Sequence, residues 1–181
     1  MPGLSVPNAG RFSTIEEMAT WTLSDMPSQV GQTAVVTGTG GLGYQDALEL
    51  TRAGGEVIIA GRNAEKGHAA VENIRRSVPK ASVRFELLDL ANLQSITAFA
   101  ARIRGQRQSL DLLVNNAAVM APPRRLVTAD GFELQLGTNY LGHFALTAQL
   151  LPPPKRGPRR ASDSFQCDVT AGKARRILRT R

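Results

Sequence analysis

Gly38, Gly40 and Gly43 stand in the spacing G-x-G-x-x-G within the stretch TGTGGLG, residues 37–43. Glycines at those intervals suit one piece of chemistry. A tight strand-to-helix turn without Cβ atoms can approach a pyrophosphate closely, and the N–H groups and dipole of the following helix attract its charge. The motif carries weight only in context, and the context is present: a β-rich run, Thr33 to Thr37, precedes it and a helical pattern follows. After the second strand, a site for NAD places Asp or Glu on the ribose 2′-hydroxyl. This chain has Gly61, Arg62 and Asn63 there, with Glu56 at the wrong end of the strand. Arg62 suits the 2′-phosphate of NADP through a paired, charge-assisted contact, against the competing reading of a solvated loop arginine. NADP is therefore the expected cofactor, ahead of NAD. No metal is expected, since His68, His143 and Cys167 are the only imidazoles and thiol, and a single cysteine excludes an internal disulfide.

The hydrophobic spacing supplies elements to position these residues. Strand Thr33 to Thr37 leads into a helix over Leu42 to Ala53, with Tyr44, Ala47, Leu48 and Thr51 at helical spacing, and then into strand Val57 to Ala60. Asn63 caps a helix toward Val78 that carries Ala70, Ile74 and Val78 and is ended by Pro79; strand Ser82 to Leu88 follows. Asn92 caps a helix with Leu93, Ile96, Ala100 and Ile103, and Leu110 to Val114 reads as a short buried strand. A loop with Pro122 and Pro123 leads to a long helix, roughly Gly131 to Leu151, with Leu136, Tyr140, Phe144, Ala148 and Leu151 on one stripe. Strands alternating with helices predict a parallel sheet covered on both faces.

Composition bounds the function. The 181 residues suffice for one domain, and a hydrophobic fraction of 42% fits a globular core. No apolar run approaches the roughly 18 residues of a membrane span, and the first residues lack a basic-then-apolar signal pattern, so a cytoplasmic protein with no membrane partner is expected. The net charge of +7 resembles a nucleic-acid signature until it is located. Residues 1–154 carry 13 Lys/Arg and 13 Asp/Glu, whereas residues 155–181 carry nine and two, so the tail supplies the whole excess. That tail follows Pro152, Pro153 and Pro154, lacks apolar periodicity and reads as disordered. The expected division is an N-terminal arm over residues 1–20, a partial nucleotide-binding domain over 21–151 and a basic disordered tail over 152–181.

Four features then converge: TGTGGLG at 37–43, Asp89 in LLDL after the third strand, NNAA at 115–118 after the fourth, and TNYLGHF at 138–144 on the next helix. In that order the chain resembles the short-chain dehydrogenase/reductase family, with a GHF ending similar to its retinol-dehydrogenase-like branch. The resemblance covers residues 21 to about 151, and it departs from the family in the turn, where T-G-x-x-x-G-x-G is one residue shorter. It implies an α/β fold, a Rossmann-like doubly wound parallel sheet that is incomplete here, with about four strands in the order 3-2-1-4. It also implies roles. Gly38, Thr39, Gly40, Gly41, Leu42 and Gly43 would cradle the pyrophosphate; Asp89 and Leu90 would contact adenine; Asn116, Ala117 and Ala118 would line the nicotinamide-side ribose; Asn115 would tie strands together. Asp89 has a competing reading as a loop acid bonded to local backbone.

Family catalysis, as the resemblance implies, uses a tyrosine acidified by a lysine four residues on. The chain's two tyrosines do not provide that pair: Tyr44 is followed four residues on by Leu48, and Tyr140 by Phe144. Of the family's catalytic set only Asn139 survives, with local helix hydrogen bonding as its expected job, while His143 reads as a packed or surface helix residue. Ser162 and Ser164 read as solvated tail residues because no β run aims them. The abrupt change of composition near Leu151 to Pro154 leads us to expect a truncated or frameshifted reading frame. The favoured function is the cofactor half of an NAD(P)-dependent oxidoreductase acting on a small-molecule alcohol or carbonyl, inactive as given. A non-catalytic nucleotide-binding module ranks second and a nucleic-acid binder through the basic tail ranks last. Substrate identity and oligomeric state stay open.

Overall fold

Every residue of Thr33–Thr37 (β1) is buried, and so are Val57, Ile58, Ile59 and Ala60 within Glu56–Gly61 (β2). Such unbroken apolar runs mark the centre of a parallel sheet whose two faces are both covered. The computed structural model describes residues 22–106 and 110–151. Val83–Leu87 (β3) pairs with β2, and Leu112–Val114 (β4) pairs with β1, so four parallel strands run in the order β3-β2-β1-β4. The expected order is therefore observed.

Alternation along the strands builds two cores. Ala34, Val36, Val57 and Ile59 pack against Gly41–Arg52 (α1) and Ala64–Ser77 (α2) through Ala47, Leu48, Leu50, Ala70, Val71 and Ile74. Val35, Ile58 and Ala60 pack on the other face against Leu93–Gln106 (α3) and His143–Leu150 (α4) through Ile96, Phe99, Ala100, Ile103, Leu146 and Leu150. Phe99 joins the expected α3 residues in the core, while Leu93 lies outside it at 37% exposure. Both expected caps form: Asn63 Oδ1 accepts the Lys66 N–H at 2.9 Å, and Asn92 Oδ1 accepts the N–H groups of Gln94 and Ser95.

Two expectations need correction. The fourth strand spans three residues, each only half-buried, instead of a buried run from Leu110, because β1 covers one of its edges and no strand among the described residues pairs with the other. The helix expected from Gly131 begins later. Glu133 folds its carboxylate over the first turn, accepting the N–H groups of Gln135 and Leu136 at 2.9 and 2.8 Å, and the chain then runs through a π-helical segment, Leu136–Gly142, into α4. Those N–H groups lower the Glu133 pKa, as expected of a carboxylate that accepts them.

Leu136, Tyr140, Phe144, Ala148 and Leu151 do share a face, but it is the exposed one. The buried side carries Gly137, Thr138, Gly142, His143, Leu146 and Leu150. A Cβ at Gly142 would strike the Leu90 carbonyl oxygen, so the face of small residues is the one that can approach the sheet. No helix among the described residues is long and apolar enough to cross a membrane. The N-terminal arm and the basic tail, with Ser162, Ser164 and Cys167, lie outside the described residues.

Candidate functional site

The carboxyl ends of the strands open into one cavity of about 750 Å³. It lies beside β1, where the strand order reverses: the chain runs outward from β1 to β2 and β3 and then crosses back to β4, the switch point at which open α/β sheets bind ligands. Gly38, Thr39, Gly40 and Leu42 form one wall, and Arg62, Asn63 and Lys66 stand at the end of β2. Asp89 and Leu90 follow β3, and Asn116, Ala117 and Ala118 follow β4. Asn139 and His143 reach in from the π-helical segment and the start of α4.

The glycine turn divides its labour. Gly38 has φ +101°, and a Cβ there would stand 2.9 Å from Asn116 Nδ2, so both conformation and space demand glycine. Gly43 is buried behind the wall, where a Cβ would collide with the same Asn116 side chain. Gly40 is extended, and nothing lies within 4 Å of a Cβ built on it or on Gly41, so both present bare backbone to open space. Gly41 and Gly43 do not line the cavity, unlike the other members of the predicted cradle.

Thr37, fully buried at the end of β1, holds the turn and the loop after β4 together. Its Oγ1 accepts the N–H groups of Asn116 at 2.9 Å and Ala117 at 3.1 Å, while Asn116 Nδ2 donates to the Thr37 carbonyl at 3.0 Å. His143 Nε2 lies 3.0 Å from the same hydroxyl. Burial lowers the His143 pKa below the ordinary value, opposed by the ring's hydrogen bond to the Asn139 carbonyl.

Asp89 takes a partner that one of its readings expected, whereas Asn115 and Asn139 do not. Asp89 Oδ1 accepts the Ala91 N–H at 2.9 Å, so the local-backbone reading holds for that oxygen even as the residue lines the cavity. Asn115, expected to tie strands, donates to Thr147 Oγ1 on α4 at 3.1 Å. Asn139 makes no helix-local side-chain bond: its Oδ1 accepts the Val119 N–H and its Nδ2 donates to the Val119 carbonyl, both at 2.8 Å. Tyr44 packs half-buried on the α1 side and Tyr140 is exposed on the far face of its helix.

The residues present fit a phosphorylated dinucleotide. Bare backbone at Gly40 faces the cavity at the start of α1, and two cations flank the end of β2 where no carboxylate stands. The ion pairs found among the described residues use Arg52, Arg84 and Arg102 and neither Arg62 nor Lys66. Thr138 Oγ1, buried in the cavity wall, has no hydrogen-bond partner among the described residues. Lys66 escaped the sequence reading, although the Asn63 cap places it on the first turn of α2, four residues after Arg62. His68 sits edge-on to the Phe85 ring, 5.3 Å between centroids, and among the described residues no cluster of His, Cys, Asp or Glu could hold a metal.

The model of the short chain dehydrogenase family matches residues 32–159. Retinol dehydrogenase 13 of Mus musculus is 51% identical over 122 residues, which are 67% of this chain and 36% of that protein. Polyprenol dehydrogenase of Danio rerio is 48% identical over 130 residues, 71% of this chain and 40% of that protein. Among solved structures, an uncharacterized protein from Mycobacterium paratuberculosis superposes with a TM-score of 0.63 at 44% identity, over 72% of this chain and 45% of the other. A metagenomic short-chain oxidoreductase solved in complex with NADP superposes with a TM-score of 0.59 at 27% identity, over 67% and 55%. The fold and the site define a dinucleotide-binding α/β domain. The chain belongs to the short-chain dehydrogenase family, and its matched stretch spans 36–40% of the length of these curated relatives.

Proposed function

We propose that this chain carries the cofactor-binding part of a nicotinamide-dependent oxidoreductase acting on an alcohol or carbonyl, that it prefers NADP to NAD, and that by itself it turns over no substrate. The observation that carries the cofactor choice is the pair of cations, Arg62 and Lys66, at the end of β2 where an NAD site places a carboxylate. Arg62 and Lys66 would hold the 2′-phosphate, the turn from Gly38 to Leu42 the pyrophosphate, and Asn116 to Ala118 the nicotinamide-side ribose. Gly43 supports the turn from behind, and Asp89 and Leu90 face the adenine end. When bound, the dinucleotide supplies the hydride chemistry. The short-chain oxidoreductase solved with NADP and the relatives named as retinol and polyprenol dehydrogenases support this reading.

Inactivity follows from the absent Tyr-x-x-x-Lys. A positioned proton donor contributes roughly two to four orders of magnitude in rate, and Asn139, the surviving member of the family set, is occupied by Val119. Calorimetry with NADP⁺ and NAD⁺ tests the cofactor choice. The unmodified chain should bind NADP⁺ more tightly, and Arg62→Ala should weaken NADP⁺ by about tenfold, in keeping with one charge-assisted contact, while barely moving NAD⁺. Tighter NAD⁺ binding would overturn the preference, and steady NADPH oxidation with an aldehyde or ketone would overturn the inactivity.

A further inference from the structure

His143 is 2% exposed, and its two ring nitrogens meet different neighbours. Nδ1 lies 3.1 Å from the Asn139 carbonyl oxygen, which can only accept, so Nδ1 carries the proton. A neutral ring then presents a bare Nε2 to Thr37 Oγ1 at 3.0 Å, an acceptor nearer to the hydroxyl than any other. The same oxygen already receives the N–H groups of Asn116 and Ala117. A hydroxyl has one hydrogen and two lone pairs, so a hydrogen aimed at Nε2 leaves one lone pair for each amide. The alternative acceptor for that hydrogen is the Val114 carbonyl at 3.2 Å, and turning the hydroxyl toward it swings both lone pairs by the same angle. An imidazolium would instead add a third N–H donor to an oxygen with two lone pairs.

We propose that His143 is a positioning residue for the cofactor site: as the neutral Nδ1–H tautomer it takes the Thr37 hydroxyl hydrogen and so orients that hydroxyl to hold the Asn116–Ala117 loop. The effect runs from the first turn of α4 through the end of β1 to the loop after β4, which nothing in the spacing of GHF announces. It rests on the reading of this cavity as a dinucleotide site only for its consequence on affinity, since the hydrogen-bond assignment stands without a ligand. Asp89, Arg62 and Lys66 are the charged side chains that line the same cavity, and none of them contributes to the lowering of the His143 pKa.

Nitrogen-15 NMR of the full chain at pH 7.5 tests the tautomer. A protonated Nδ1 and a bare Nε2 are expected; an Nε2–H tautomer or an imidazolium would overturn the inference. Two variants test the consequence. His143→Gln offers an amide oxygen to the Thr37 hydroxyl, and His143→Leu fills space without an acceptor. The Leu variant should expose the Asn116 and Ala117 amides to faster hydrogen exchange and weaken NADP⁺ binding by about fivefold, in line with one neutral hydrogen bond, and the Gln variant should restore both to within about twofold. Equal losses in the two variants, or none in the Leu variant, would reduce His143 to packing. If no form of the chain binds NADP⁺, the cofactor reading fails, while the tautomer and the two amide exchange rates still decide this inference.

Discussion

Asn139 and Val119 are joined by a reciprocal pair of hydrogen bonds, side-chain oxygen to N–H and side-chain nitrogen to carbonyl, each 2.8 Å long and closing 20 residues of chain. The clasp ties the loop after β4 to the π-helical segment and forms the far wall of the cavity. An amide is the one small side chain that both accepts and donates in this geometry. Asn139→Asp keeps the acceptor and sets an oxygen against a carbonyl, so it should cost as much as Asn139→Ala or more. Each bond is worth roughly 0.5–1.5 kcal/mol, giving a loss of about 1–3 kcal/mol in urea denaturation for the Ala variant. Asp tolerated at no cost would show that the clasp does not form in solution.

The two kinds of glycine in the turn separate stability from binding. Gly43→Ala drives a methyl group into Asn116, whose Nδ2 also bonds the Thr37 carbonyl, and overpacking of that kind costs about 1–3 kcal/mol. Gly40→Ala meets nothing within 4 Å on an extended backbone, so its stability should stay within about 0.5 kcal/mol while NADP⁺ affinity falls. Thermal melts and calorimetry on both variants check this, and full NADP⁺ affinity in Gly40→Ala would remove Gly40 from the phosphate site.

Stability should depend on pH through His143. Its pKa is lowered in the folded chain from the ordinary 6.5, chiefly by burial. Between the folded and unfolded values the unfolded chain binds the extra proton, so this contribution is complete above pH 6.5 and is lost as pH falls below it. Urea midpoints of the unmodified chain should therefore drop between pH 7.5 and pH 5 more steeply than those of His143→Gln. Parallel slopes would show that the ring titrates alike in both states.

The orientation of α4 can be read from a contrast between neighbours. Phe144 is 67% exposed and Leu146 is fully buried, so Phe144→Glu should change stability by no more than about 0.5 kcal/mol, whereas Leu146→Ala should cost about 2–5 kcal/mol. Comparable losses at both positions would mean that the apolar stripe faces protein.

Sequence alone determined the α/β class, the parallel order of the four strands, the glycine turn and the caps at Asn63 and Asn92. Each of these is written in local periodicity, in a single cap residue or in a family motif of adjacent residues. Periodicity also found the stripe of Leu136, Tyr140, Phe144, Ala148 and Leu151, but only tertiary structure decided which way it turns. An apolar stripe pulls a helix toward a core only if its backbone can reach it, and here the glycines at 137 and 142 let the opposite face come closest to Leu90 and Thr128. Asn139 misleads for a related reason. Its side chain bonds Val119, 20 residues away, as Thr37 meets His143 across 106, and the partners of a hydrogen-bonding side chain are chosen by the elements that the fold places beside it. Lys66 stands between these cases, because helix spacing from Arg62 reaches it, while the role of that spacing is set by the cavity the two side chains flank.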